Sequence, residues 1–170
     1  MLSRFFRPSR VALAGLALCG GLCGVTLAAT AGTAYAGGGP VTIVSSFSGL
    51  NLDVENESTA PGAPVIQWWP NYQANQAWNV PPVDTPGVIR NLNSGMCLTT
   101  DGTPGHQLFQ EPCLPQLAQY ETWAMLDDGV VWEPYQGLWL DVYNDSTQAG
   151  DPIDAWNYNG QSNQMFYYNI

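Results

Sequence analysis

Three glycines, Gly49, Gly95 and Gly137, each open a segment of the same kind: GLNLDV, GMCLTT and GLWLDV. Each segment runs through a polar, turn-rich spacer to an aromatic residue, Trp78, Trp123 or Phe166, lying 29, 28 and 29 residues beyond its glycine. The steps between copies are 46 and 42 residues. A unit this short cannot bury its own apolar face, so three copies must share one core. No stretch after residue 36 keeps an apolar period of 3.6 through three turns, while 18 glycines, 13 prolines and 12% aromatic residues favour short strands and many turns. An all-β fold is expected.

Alternation within the copies assigns faces. Leu50, Leu52 and Val54 fall on one side of a strand and Asn51 and Asp53 on the other; Leu138, Leu140 and Val142 alternate with Trp139, Asp141 and Tyr143 in the same phase. The leucines are expected in the core with Trp78, Trp123 and Phe166, and both aspartates are expected to point outward. Aspartate is disfavoured in strands, so two aspartates interrupting apolar alternation point to function. Trp68 and Trp69 are adjacent, so on a strand they face opposite ways.

The first 36 residues carry the three-part pattern of a secretory signal: Arg4, Arg7 and Arg10, an apolar run from Val11 to about Ala29, and Ala34-Tyr35-Ala36 at the cleavage position. A secreted, extracellular protein of 134 residues (37–170), one domain in length, is expected. That portion retains Arg90 as its sole basic residue against 14 acids, and the chain has no lysine. Nucleic acids and anionic membranes are recognised through cationic side chains that release counterions, so neither is an expected partner. Cys97 and Cys113 remain, an even count in an oxidising compartment.

The ends of the copies read NQAW at Asn75–Trp78, YETW at Tyr120–Trp123 and NQMF at Asn163–Phe166. Three such Q-x-W-like endings in register, with matching upstream strands over roughly residues 41–170, resemble the ricin B-type lectin domain. The resemblance implies a β-trefoil of twelve short strands with pseudo-threefold symmetry, its repeats spanning approximately 41–86, 87–128 and 129–170. It implies shallow sugar sites, one per repeat, that stand or fall separately. In the first repeat Asp53 matches the carboxylate that accepts hydrogen bonds from sugar hydroxyls, Trp69 the aromatic platform, Gln67 a polar wall residue, Asn75 a donor to a hydroxyl, and Gln76 the residue that steadies the aspartate. In the third repeat the matching residues are Asp141, Trp156, Asn163 and Gln164, with Asp154 where the first repeat has Gln67. A second carboxylate beside Asp141 raises the cost of ionising both. The middle repeat has Thr99, Glu111 and Tyr120-Glu121 at these places and is expected to bind no sugar. Its Cys97 and Cys113 match an intra-repeat disulfide, with Asn51 and Asn71, and Trp139 and Tyr158, at the equivalent positions of the other repeats.

A carboxylate acceptor, a flat apolar face and carboxamide donors are the chemistries that hold a sugar ring in water. The expectation is therefore a secreted, non-catalytic lectin for galactose-type sugars, needing no cofactor or metal. Asp53 and Asp141 belong to different repeats and cannot flank one glycosidic bond, and no Ser-His-Asp arrangement is present. His106 lies in the turn-like DGTPGH without metal-ligand spacing. Asp127-Asp128-Gly129 and Asn157–Gly160 read as hairpin turns rather than calcium loops. Asn56-Glu57-Ser58 and Asn144-Asp145-Ser146 satisfy the glycosylation sequon close to the two expected pockets. The competing reading is a trefoil that binds protein, as a protease inhibitor or as the docking subunit of a secreted toxin or enzyme complex.

Overall fold

A computed structural model describes residues 39–170, so the signal segment lies outside the described residues. Extended segments recur in every repeat. The first contributes β1 (Thr42–Ser45), β2 (Asn51–Val54), β3 (Val65–Trp68) and β4 (Trp78–Asn79). The second contributes β5 (Gly87–Val88), β6 (Arg90–Asn91), β7 (Cys97–Thr99), β8 (His106–Gln107), β9 (Phe109–Glu111) and β10 (Thr122–Met125), and the third β11 (Val131–Glu133), β12 (Leu138–Val142), β13 (Ile153–Trp156) and β14 (Phe166–Asn169). These fourteen segments correspond to the expected twelve strands. In the second repeat β5/β6 and β8/β9 are strands interrupted at Ile89 and Leu108, each fully buried. Leu108 changes partners there: its N–H donates to Ile153 O while its carbonyl accepts from Val65 N, both at 2.8 Å.

All strand pairs are antiparallel, and β1 pairs with β14 from Thr42 opposite Asn169 to Ser45 opposite Phe166. The first repeat is thus tied to the last, which leaves fewer open sheet edges. Four positions recur in triplicate inside: Ile43, Ile89 and Val131; Leu52, Leu98 and Leu140; Val65, Leu108 and Ile153; Trp78, Trp123 and Phe166. All twelve are buried in one cluster. Their spacing supplies the pseudo-threefold symmetry of the β-trefoil. The buried indole N–H groups find partners on their own repeat's inner strand, Trp78 Nε1 donating to Leu52 O at 3.2 Å and Trp123 Nε1 to Leu98 O at 2.9 Å. Phe166 has no such donor.

Each repeat fastens the end of its second strand differently. Cys97 and Cys113 form the disulfide, with Cα atoms 5.1 Å apart. The residue after each closing position donates its backbone N–H to the closing side chain: Leu114 to Glu121 Oε2 at 3.3 Å, Asn71 to Gln76 Oε1 at 3.0 Å and Asn159 to Gln164 Oε1 at 2.9 Å. These bonds make Pro70, not Asn71, the counterpart of Cys113 in the first repeat, a correction of one residue. Asn51 there donates Nδ2 to Gln76 Oε1 at 2.9 Å. In the third repeat Trp139 and Tyr158 pack ring against ring at 5.3 Å.

The disulfide closes a span of 16 residues, and chain-entropy reasoning assigns such a loop roughly 3 kcal/mol. The Cys97→Ala/Cys113→Ala double variant is expected to lose about that much stability in urea denaturation while retaining the native far-ultraviolet circular dichroism spectrum.

Candidate functional site

The hairpin of β2 and β3 builds one pocket. Asp53 stands opposite Ile66 and Asn51 opposite Trp68. Side chains alternate with a period of two, so Asp53, Ile66 and Trp68 share the outer face while Leu52 and Gln67 share the inner one. A depression of about 250 Å³ is lined by these three outer residues together with Asn71, Asn75 and the short turn Glu55–Glu57. Its indole, Trp68, is 42% exposed.

Asp53 faces away from the core, as alternation requires, but it does not reach open solvent. It is only 3% exposed, which corrects the expected outward display. Its carboxylate forms the pocket floor and accepts from Gln76 Nε2 at 2.7 Å. Burial pushes its pKa up to about 6, against the lowering effect of hydrogen bonds from Gln76 and Asn75. Gln76 has the steadying place expected of it, and it also donates to Trp69 O at 2.8 Å. Asn75 Nδ2 donates to Val54 O at 3.3 Å while Asn75 Oδ1 accepts from Asn71 at 3.2 Å.

Two residues expected at this pocket lie elsewhere. Trp69 follows the end of β3, is 61% exposed and does not line the depression; Trp68 does. Gln67 is fully buried, with Nε2 donating to the carbonyls of Ser146 and Gln148 at 3.0 Å each, so it ties the third repeat's loop to the first. The cause is a slip of one residue. Asp53 and Asn75 are 22 apart, as are Asp141 and Asn163. Carrying that equal spacing through the interior aligns Ile66 with Asp154 and Trp68 with Trp156, and a one-residue slip moves a strand residue to the opposite face.

The hairpin of β12 and β13 repeats the construction. Asp141 stands opposite Asp154 and Trp139 opposite Trp156. Asp141, Asp154, Trp156, Asn163, Asn159 and the turn Tyr143–Asp145 line a depression of about 210 Å³. Asn163 Nδ2 donates to both oxygens of Asp141, at 3.0 and 2.9 Å. Gln164 Nε2 donates to Asn157 O at 2.9 Å. Asp141 and Asp154 are both buried, and Asp154 Oδ1 has no hydrogen-bond partner. Burial first, and then the charge of Asp141, pushes Asp154 up to about 7; burial also raises Asp141. Each carboxyl of the pair is thus harder to ionise than a free one, and the first repeat has no such facing carboxyl because Ile66 occupies the position.

Both rims contain a strained turn that sequence reasoning noted only as a sequon. Asn56 and Glu57, and likewise Asn144 and Asp145, adopt φ between 52° and 56°, a left-handed conformation uncommon outside glycine. The indoles are placed by glycines of neighbouring repeats. A Cβ on Gly105, whose φ is +83°, would come within 2.6 Å of Trp156, and one on Gly150 within 3.4 Å of Trp68. The Gly150-Asp151 pair and the Gly105-His106 turn stand plainly in the sequence, but only spatial proximity shows what rests on them.

The middle repeat carries a different depression, of about 280 Å³, lined by Thr99, Thr100, Asp101, Phe109, Glu111 and Tyr120. Thr99 faces Phe109, and Glu111 faces Cys97 where the other repeats have their indoles. Its floor thus lacks the strand aspartate. Glu121 is buried in the place of Gln76, and burial raises its pKa. His106 is exposed and lies 2.7 Å from Asp101. Among the described residues no cluster of three or more His, Cys, Asp or Glu is placed to hold a metal ion.

Carboxyls with raised folded-state pKa values favour the fold fully below about pH 4, and that contribution is lost as pH rises through about 6 to 7. Asp154→Asn should therefore flatten the decline in stability between pH 4 and pH 8, by on the order of 2–4 kcal/mol, as followed by urea titrations at each pH. Separately, Gly105→Ala should displace the Trp156 indole, seen as a shift of its Nε1–H resonance while that of Trp68 stays in place.

The profile of the family described as "Ricin-type beta-trefoil lectin domain" matches residues 39–166. The chain is 33% identical over 105 residues to the ribosome-inactivating protein PMRIPt of Polygonatum multiflorum, covering 61% of this chain and 17% of that protein. It is 30% identical over 110 residues to agglutinin-1 of Abrus precatorius, covering 63% of this chain and 19% of that protein. The chain thus spans less than a fifth of the length of these curated relatives. Among solved structures it is similar to the designed threefold-symmetric protein ThreeFoil, with a TM-score of 0.72 and 30% identity over 78% of this chain and 99% of that one. It is also similar to the C-half of an earthworm R-type lectin in complex with GalNAc, with a TM-score of 0.65 and 26% identity over 78% of this chain and 98% of that one. Three interlocked repeats, two of them carrying an amide-held carboxylate beside an indole, agree with this match over most of the chain, which belongs to the ricin-type β-trefoil lectin family.

Proposed function

We propose that residues 37–170 form a secreted, non-catalytic lectin that binds galactose-type sugars through separate pockets in the first and third repeats. Family membership and lectin neighbours support carbohydrate binding. The observation that carries the assignment to these pockets is the repeated pairing of a buried carboxylate with a 42%-exposed indole, Asp53 with Trp68 and Asp141 with Trp156. The carboxylate accepts hydrogen bonds from neighbouring hydroxyls, and the indole face covers the apolar C–H face of the ring. The preorganised amides of Gln76 and Asn163 hold Asp53 and Asp141 in place before the sugar arrives. The GalNAc bound by the similar earthworm lectin favours a sugar of the galactose series.

Catalysis is not part of this reading. Asp53 and Asp141 line different pockets. Asp141 and Asp154 stand side by side, opposite each other on adjacent strands of one pocket wall, whereas a glycosidase places its two carboxylates roughly 5–10 Å apart on either side of the bond. The pattern at residues 1–36 and the scarcity of basic residues support an extracellular role with glycan partners rather than nucleic acid or membrane insertion.

A single shallow pocket of this kind binds on the order of millimolar, or about −4 kcal/mol. Two pockets on one rigid body hold a polymeric or cell-surface glycan more tightly by avidity, by a factor of roughly 10²–10⁴. Asp53→Ala and Asp141→Ala are each expected to halve the number of lactose molecules bound in titration calorimetry, and the double variant to pass unretarded through immobilised galactose while remaining folded. Retention of the folded double variant would overturn the assignment.

A further inference from the structure

The third repeat carries an aromatic ridge that the other two lack. On its outer face Trp132 stands opposite Trp139, and Trp139 opposite Trp156, in consecutive ladders across β11, β12 and β13. Trp132 and Trp139 have ring centroids 6.5 Å apart and tilted by 32°, and Trp139 and Tyr158 follow at 5.3 Å and 45°. The ridge adjoins the third pocket. Trp139 precedes Asp141 by two residues on the same strand face, and Tyr158 precedes Asn159, which lines the pocket. Trp132 and Trp139 are partly exposed, and Tyr158 is 53% exposed.

Threefold symmetry supplies an internal comparison. The positions of Trp132, Trp139 and Tyr158 are filled by Val44, Asn51 and Pro70 in the first repeat and by Arg90, Cys97 and Cys113 in the second. Neither of those repeats needs an aromatic row to form its hairpin, so the fold alone does not account for three large rings left partly in water. Trp139 and Tyr158 do fasten the third repeat in place of the disulfide, but Trp132 has no part in that fastening.

We propose that the ridge is an extension of the third-repeat site which takes a further sugar residue of the same glycan chain, making this site selective for oligosaccharides while the first site reads a single sugar. The proposal rests on the carbohydrate-binding reading given above. Successive rings lie 6.5 and 5.3 Å apart, comparable to the span of one pyranose, so a chain leaving the pocket meets a new aromatic face with each residue. Aromatic faces match the C–H surfaces of successive sugars and demand no fixed hydroxyl pattern. A protein partner would not need the ridge to be continuous with the pocket.

The test uses single-site proteins and three probes: methyl β-galactoside, lactose and β-1,4-galactotetraose. In the Asp53→Ala protein, where only the third site remains, calorimetric affinity is expected to rise at least tenfold from the monosaccharide to the tetrasaccharide. In the Asp141→Ala protein it should stay within about twofold. Adding Trp132→Ala or Tyr158→Ala to the Asp53→Ala protein should abolish the rise without altering methyl β-galactoside affinity. Because the ratio is taken within one folded variant, a general loss of stability does not imitate this result. Monosaccharide binding without length dependence would overturn the extension alone. Failure of the otherwise unaltered protein to bind any of the three sugars would overturn the lectin reading as well.

Discussion

The pairing of the first strand with the last is the contact on which the remainder of the molecule depends. Thr42–Ser45 lies along Phe166–Asn169 and brings the first and third repeats into one sheet. Without that closure the twelve apolar positions recurring in triplicate would be left with an open side, because no repeat covers its own interior. With it, Trp78, Trp123 and Phe166 become equivalent fillers of one core. The hairpins outside that core are then supported from within and can diverge.

Divergence on a common frame is what the three outer surfaces show. Asp53, Thr99 and Asp141 occupy one strand position, and Ile66, Phe109 and Asp154 face them. The resulting pocket floors comprise one with a single strand carboxylate, one with hydroxyl and aromatic groups, and one with two facing carboxyls. The same freedom extends to the fastening of each hairpin, where a disulfide, a carboxamide network and a pair of aromatic rings serve equivalent ends. These solutions are interchangeable because each need only hold two chain segments together at the surface.

The pockets are also cross-supported around the ring. Gln67 of the first repeat holds the loop that follows the rim of the third pocket, and Gln110 of the second does the same for the first, with Nε2 donating to Ser58 O and Ala60 O at 3.0 Å each. At the corresponding position in the third repeat stands Ala155, and the middle repeat's loop instead closes on its own Thr100 and Asp101. Buried donors that satisfy two carbonyls apiece keep otherwise exposed loops in a defined course. The carboxylates below them are thereby kept out of bulk water, which is the physical origin of their raised pKa values.

The amino-acid sequence by itself determined the number of repeats, the all-β class and the core placement of the alternating strand leucines and of Trp78, Trp123 and Phe166. Those follow from glycine spacing and from alternation, which are local regularities. It also marked Asp53, Asp141, Asn75, Gln76, Asn163, Gln164 and Trp156 as one group in each outer repeat, since equal spacing and residue type suffice for that. Which of two adjacent tryptophans enters the first pocket was decided only by strand register, because Asp53 pairs with Ile66 and thereby turns Trp68, not Trp69, toward it. Register likewise sent Gln67 inward and set Asp154 against Asp141. Burial of the aspartates, the glycine seats of the indoles and the aromatic ridge are products of chain segments distant in sequence, and pairwise proximity of that kind leaves no periodic trace along a single chain.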